Sequence, residues 1–102
     1  MSVIEINEEE FDEKIKNSKN KVLVDCYADW CGPCQMLSPV IEDLANDTEY
    51  CDFYKVNIDN APEIASKYEI MSIPTLLFFE NHELKEKTVG FRSREELEEL
   101  IK

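Results

Sequence analysis

The stretch Lys21-Val22-Leu23-Val24-Asp25-Cys26-Tyr27-Ala28, followed by Asp29-Trp30-Cys31-Gly32-Pro33-Cys34 and then Gln35-Met36-Leu37, changes its hydrophobic period in the middle. Residues 21–28 carry Val22, Leu23, Val24, Cys26 and Tyr27, a near-continuous apolar run. Such a run suits a strand covered on both faces. From Gln35 onward Leu37, Val40, Ile41, Leu44 and Ala45 recur at i, i+3, i+4, i+7 and i+8, the spacing of an amphipathic helix. Pro39 lies inside that helix and is expected to kink it. Two cysteines therefore sit at a junction between a buried strand and a helix.

Outward from this junction the same alternation continues. Residues 2–6 alternate weakly and predict a short strand. Asn7 offers an N-cap with Glu10 three residues on, and Ile6 and Phe11 take the staple positions of a helix running to about Asn17. Residues 51–58 predict a second buried strand through Phe53, Tyr54, Val56 and Ile58. Pro62 suits the first turn of a short helix carrying Ile64, Ala65 and Tyr68. Residues 75–79 predict a third apolar strand. Asn81-His82 then turns the chain into residues 84–89, a charged strand of edge type. Ser93 and Glu96 form a capping box ahead of Leu97, Leu100 and Ile101. The order is βαβαβα followed by ββα. Parallel strands with helices on both faces and a closing hairpin make an α/β three-layer sandwich. Residues 1–102 show no repeat, linker or low-complexity segment and are read as one domain.

Bulk composition excludes some functions. The formal net charge is −12, whereas binding to phosphate backbones or anionic membranes needs clustered Lys and Arg. No nucleic acid or membrane partner is expected. No stretch approaches the roughly 18 consecutive apolar residues of a membrane helix. Residues 1–10 have neither the basic region nor the apolar run of a signal peptide, so the cytoplasm is the expected location.

There are four cysteines, Cys26, Cys31, Cys34 and Cys51. In a reducing compartment a close pair reads as catalytic or metal-binding rather than structural. A helix N-terminus presents free N–H groups and partial positive charge, and both favour a thiolate over a thiol at Cys31. The i, i+3 spacing puts both sulfurs on one helix face. Gly32 removes bulk beside the nucleophile, and Pro33 restricts the backbone where a missing N–H costs little. On this reading Cys31, exposed, attacks a partner's disulfide, and Cys34, one turn inside, resolves the mixed disulfide. The competing reading is half of a zinc site, which needs four ligands, commonly in two close pairs. Cys26, Cys51 and His82 supply no second close pair. No metal is expected.

The segment from Val22 to Cys34 closely resembles the active-site segment of the thioredoxin family. Further matches are Pro39, Lys55-Val56-Asn57-Ile58-Asp59, Ile73-Pro74-Thr75-Leu76 and Val89-Gly90, and together they span essentially the whole chain. The resemblance implies a thioredoxin fold with a central mixed five-stranded sheet. It implies a general protein-disulfide reductase, an electron carrier whose only redox group is the Cys31–Cys34 disulfide, with no other cofactor. Its implied partners are a thioredoxin reductase and disulfide-containing target proteins, met as a monomer. Gly32-Pro33 matches the reducing members; oxidising and isomerising relatives usually carry His before the second cysteine. A disulfide isomerase or oxidant, or a redox-independent docking module on the same fold, are the alternatives.

The resemblance also implies roles for other residues. A carboxylate inside an apolar strand is expensive, so Asp25 should tend toward the neutral acid. The family match makes it the general acid/base for Cys34, with Lys55 moderating it. Taken alone, Lys55 reads equally as a surface residue. Ile73-Pro74 is expected to be cis and to offer the Ile73 backbone to an incoming peptide. Trp30, Gly32, Pro33, Ile73, Pro74 and Gly90, with Phe91 beside them, would make a flat uncharged docking surface. Turn geometry is the competing reading of Gly90 and Phe91. Cys26, Cys51, Tyr27 and Tyr68 read as core, and His82 as a turn residue. Tyr27 stands where many members have Trp, and Gln35 where Lys is common.

Overall fold

The computed structural model describes residues 3–102. The strands are β1 (Ile4–Glu5), β2 (Lys21–Tyr27), β3 (Cys51–Asn57), β4 (Thr75–Glu80) and β5 (Glu83–Val89). The helices are α1 (Glu8–Asn17), α2 (Gly32–Asn46), α3 (Pro62–Lys67) and α4 (Arg94–Ile101). Ser2, where the first strand was expected to begin, lies outside the described residues. One five-stranded mixed sheet runs in the order β1-β3-β2-β4-β5. β3 lies parallel to β1 and β2, and β4 runs antiparallel to β2 and β5.

Strand alternation sorts the core into two layers. Val22, Val24 and Cys26 of β2 pack with Phe11 and Ile15 of α1 and Ile64 of α3. Leu23 faces the opposite way, with Leu37, Ile41 and Leu44 of α2 and Leu97 and Ile101 of α4. Leu76 and Leu77 are neighbours on β4 and enter opposite layers, both fully buried. Each such side chain contributes about 1.5–3 kcal/mol by leaving water. The alternation places Asp25 on the α2 side of the sheet, two residues beyond Leu23.

The helix N-termini are closed in three ways. In α1 the Glu10 N–H donates to Asn7 Oδ1 at 2.8 Å and Glu10 Oε1 accepts from the Asn7 N–H at 3.0 Å. In α4 Ser93 and Glu96 make the same reciprocal box at 3.2 and 2.9 Å. Ala61, ahead of α3, has no capping side chain, and Glu8 of α1 fills that role across the layer. Its Oε1 accepts from the N–H groups of Glu63 and Ile64 at 2.7 and 3.3 Å. In α2 the capping atom is a sulfur, described below. At the other end of α2, Arg94 of α4 donates to Asp43 and Asp47 and ties the two helices together.

Boundaries moved where local chemistry outweighed the apolar pattern. Ile58 belongs to a 3-10 turn, Ile58–Asn60, whose Asp59 N–H donates to Asn57 Oδ1 at 3.0 Å. Helix α2 begins at Gly32 rather than Gln35, with Pro33 in its first turn. The β4–β5 turn holds Asn81 and His82 at φ 54° and 70°, the left-handed pair that hairpins favour. His82 Nδ1 lies 3.1 Å from the Ile15 carbonyl oxygen, so this residue fastens the hairpin to the end of α1.

Candidate active site

Strand β2 ends at Tyr27, and four residues later Cys31 stands as the N-cap of α2 in extended conformation, φ −95° and ψ 111°. Its Sγ accepts from the Cys34 N–H at 3.2 Å, the bond that a Ser or Asn side chain makes elsewhere. The first turn of α2 contains no acidic residue. Cys31 and Cys34 are joined by a disulfide with their Cα atoms 5.2 Å apart. Both are buried, Cys31 at 5% exposure and Cys34 at 3%. The exposed Cys31 expected from the sequence is therefore corrected. In the disulfide its sulfur turns in against Ala28, Cys34 and the half-buried Ile73.

Asp25 lies behind this pair. It is 4% exposed, and its Oδ1 has no hydrogen-bond partner among the described residues. A cavity of about 150 Å³ joins it to Cys34, lined also by Tyr27, Gln35, Ser38 and Lys55. Burial pushes the Asp25 carboxyl up to about 7, against a smaller downward pull from Lys55. Lys55 is the register partner of Asp25 on β3, and its Nζ sits 5.9 Å from the centroid of the Tyr27 ring. Tyr27 is not core as expected. It is half-buried, and its hydroxyl donates to Glu5 Oε2 at 2.7 Å.

The rim collects the other expected residues. Trp30 is 72% exposed, yet its Nε1–H donates to Asp59 Oδ2 at 2.8 Å. A Cβ on Gly32 would meet no atom within 4 Å, so the space beside the disulfide is open. Pro33 is exposed in the first turn of α2. The Ile73-Pro74 bond is cis, and the Ile73 carbonyl oxygen lies 3.7 Å from Cys31 Sγ. Pro74 itself is buried, with its carbonyl accepting from the Gly90 N–H at 2.8 Å. Gly90 has φ +96°, which an L side chain rarely adopts. Phe91 is exposed at the edge of the same corner.

Sequence reasoning missed Asp59 as the partner of Trp30, and Glu5 as the partner of Tyr27. It also missed Met71, at 94% exposure, and Met36, both exposed apolar residues close in sequence to the rim. Asp59 carried a signal in the matched Lys55–Asp59 segment; Glu5 carried none. Cys26 and Cys51 are free and buried, far from water. Burial pushes the Cys51 thiol up to about 12 and that of Cys26 further, so both stay protonated. Among the described residues no group of three or more His, Cys, Asp or Glu side chains is placed to hold a metal ion. Among them, too, no helix is long and apolar enough to cross a membrane. The arrangement can interconvert a dithiol and a disulfide next to a carboxyl that titrates near neutrality.

Comparison with known proteins agrees over the whole length. The thioredoxin family model matches residues 2–102. A thioredoxin of Mycoplasmoides gallisepticum is 47% identical over 96 residues, covering 94% of this chain and 95% of its own. One from Staphylococcus epidermidis is 43% identical over 102 residues, covering 99% and 96%. The solved structure of a mutant thioredoxin from Halobacterium salinarum superposes with a TM-score of 0.90 at 38% identity, covering 98% of this chain and 88% of that one.

Proposed function

Because this chain belongs to the thioredoxin family of thiol–disulfide oxidoreductases, we propose that it is a general protein-disulfide reductase that acts as one domain, monomeric and cytoplasmic. The observation that carries this reading is the Cys31–Cys34 disulfide at the start of α2, with Cys31 as the capping residue.

In the reduced protein the Cys31 thiolate is held by the N–H groups and partial positive charge of the α2 N-terminus. It attacks one sulfur of a target disulfide. A mixed disulfide forms, and the target's other sulfur leaves as a thiolate and takes a proton. Cys34 then gives its proton to Asp25 and attacks Cys31 Sγ. The mixed disulfide breaks as Cys31–Cys34 closes, the second target sulfur leaves as a thiolate and takes the proton back from Asp25, and the target departs with two thiols. Asp25 is suited to this transfer because a group titrating near 7 accepts and returns protons at neutral pH. Lys55 keeps its carboxyl from rising further.

Trp30, Gly32, Pro33, Ile73, Pro74 and Gly90 form the docking face. Gly32 leaves room, Ile73 offers its backbone, and Pro74 and Gly90 hold that backbone in place through their hydrogen bond. The oxidised form is recharged by a thioredoxin reductase, and the redox disulfide serves in place of any bound cofactor. The test is reduction of insulin with dithiothreitol as electron source. Wild type accelerates it, and Cys34→Ser traps a mixed disulfide with target proteins. Full activity in Cys31→Ser would overturn the reading.

A further inference from the structure

We infer that Tyr27 and Glu5 are positioning residues for Lys55, and that together they set how much of its charge reaches Asp25. Glu5, Lys55 and Asp25 are successive register partners across β1, β3 and β2. Register partners point to the same face of a sheet, and Tyr27, two residues after Asp25, shares that face. Lys55 thus stands between two carboxylates, one on the exposed edge strand and one buried. A direct pair with Glu5 would cancel much of its field at Asp25.

The geometry prevents that pair. Glu5 Oε2 accepts the Tyr27 hydroxyl at 2.7 Å, and the Lys55 ammonium rests over the Tyr27 ring, 5.9 Å from its centroid. Among the described residues Lys55 makes no ion pair. Tyr27 therefore occupies both neighbours at once, drawing the edge carboxylate with its hydroxyl and seating the cation on its ring face. Burial and the Glu5 carboxylate both push the Tyr27 hydroxyl up, so it stays a donor throughout.

The other groups facing Asp25 are few. The loop after β2 contributes Asp29, α2 contributes Cys34 in its disulfide with the uncharged Gln35 and Ser38, and β4 places the apolar Leu76 opposite Asp25. Cys26 is the neighbour of Asp25 on β2 but packs in the opposite layer, with α1 and α3.

The significance of this for turnover rests on the reductase reading above, but its measurement does not. The readout is the titration of the Asp25 carboxyl in the oxidised protein, followed by carbon-13 NMR. Tyr27→Phe keeps the ring and frees Glu5 to approach Lys55, so the Asp25 midpoint rises by roughly 0.3–1 pH unit. Glu5→Gln removes a carboxylate that Tyr27 already holds away from Lys55, so the midpoint falls, but by less than Tyr27→Phe raises it. The double variant follows Glu5→Gln. Lys55→Met raises the midpoint and abolishes the effect of Tyr27→Phe. A merely structural role moves both single variants in the same direction or neither, and either result overturns the inference. Insulin reduction measured alongside separates the two proposals. Opposed shifts in a protein inactive on insulin uphold this inference and defeat the reductase reading; activity without opposed shifts does the reverse.

Discussion

Helices α1 and α4 begin in one way and α2 in another. The first turn of α1 holds Glu8, Glu9 and Glu10, and that of α4 holds Glu95 and Glu96. In both, a glutamate reaches back to the cap backbone and satisfies it. The first turn of α2 has no acid, in a chain with 23 Asp and Glu residues, and its cap is a sulfur. Carboxylates stabilise a helix start because they offset its partial positive charge. At α2 that charge is left for Cys31. Two helices use their first turns for stability, and on the proposed mechanism the third keeps its own for chemistry.

The largest effect expected from breaking this contrast is at the caps themselves. Cys31→Ser places a favoured capping residue on α2, so under reducing conditions unfolding in urea should move by less than about 1 kcal/mol. On the reductase reading insulin reduction should nevertheless fall by more than about 10³-fold, because Cys31 is the nucleophile of that proposal. A cap that costs activity and not stability is the reverse of what Asn7 does.

Asp25→Asn is next. A carboxyl raised in the fold from 3.8 to about 7 favours folding fully only below its unfolded value, and that contribution is lost as pH rises through the folded one. The variant lacks this loss. It should match wild type near pH 4 and exceed it by roughly 2–4 kcal/mol at pH 8, read by urea unfolding of the oxidised proteins. Resolution of the mixed disulfide at neutral pH should slow at the same time. Equal stability differences at the two pH values would show that the carboxyl is not held up by burial.

Asn7→Ala and Ser93→Ala should each cost about 1 kcal/mol in unfolding free energy and leave the insulin rate unchanged. The smallest effect is expected at Gln35, in the first turns of α2. Gln35→Glu gives α2 the acid that α1 and α4 have, and should slow alkylation of reduced Cys31 at pH 6.5 by about 2–5-fold. Gln35→Lys should speed it. Stopped-flow reaction with iodoacetamide, with Cys26 and Cys51 as buried controls, reads both.

Much of this was legible from residue order. The apolar run of β2, the 3.6-residue stripe of α2, and the boxes Asn7–Glu10 and Ser93–Glu96 are local signals, and each element appears where its signal lies. The start of α2 was read three residues late because Gly32 and Pro33 carry no apolar period, although both are at home in a first turn. Asp25 was conspicuous as a charge within hydrophobic sequence. The bond of Trp30 to Asp59, and that of Tyr27 to Glu5, joins residues 29 and 22 positions apart, so no local pattern marks either. They depend on sheet register, which is fixed by the packing of whole layers rather than by neighbours in the chain. The burial of Cys31 was missed for a related reason, since Ile73 arrives from another part of the chain.

The indole of Trp30 has one more consequence. Most of its surface faces water, but its N–H donates to Asp59, which favours one orientation of the ring before anything touches it. An exposed aromatic normally surrenders rotameric freedom when a partner lands, at about 0.5–1.5 kcal/mol for each side chain immobilised. Here part of that loss is incurred when the protein folds. A preset plate of this kind asks little of the shape of what it meets. If the proposed general reductase accepts many targets, it does so with a rigid surface rather than a pliable one.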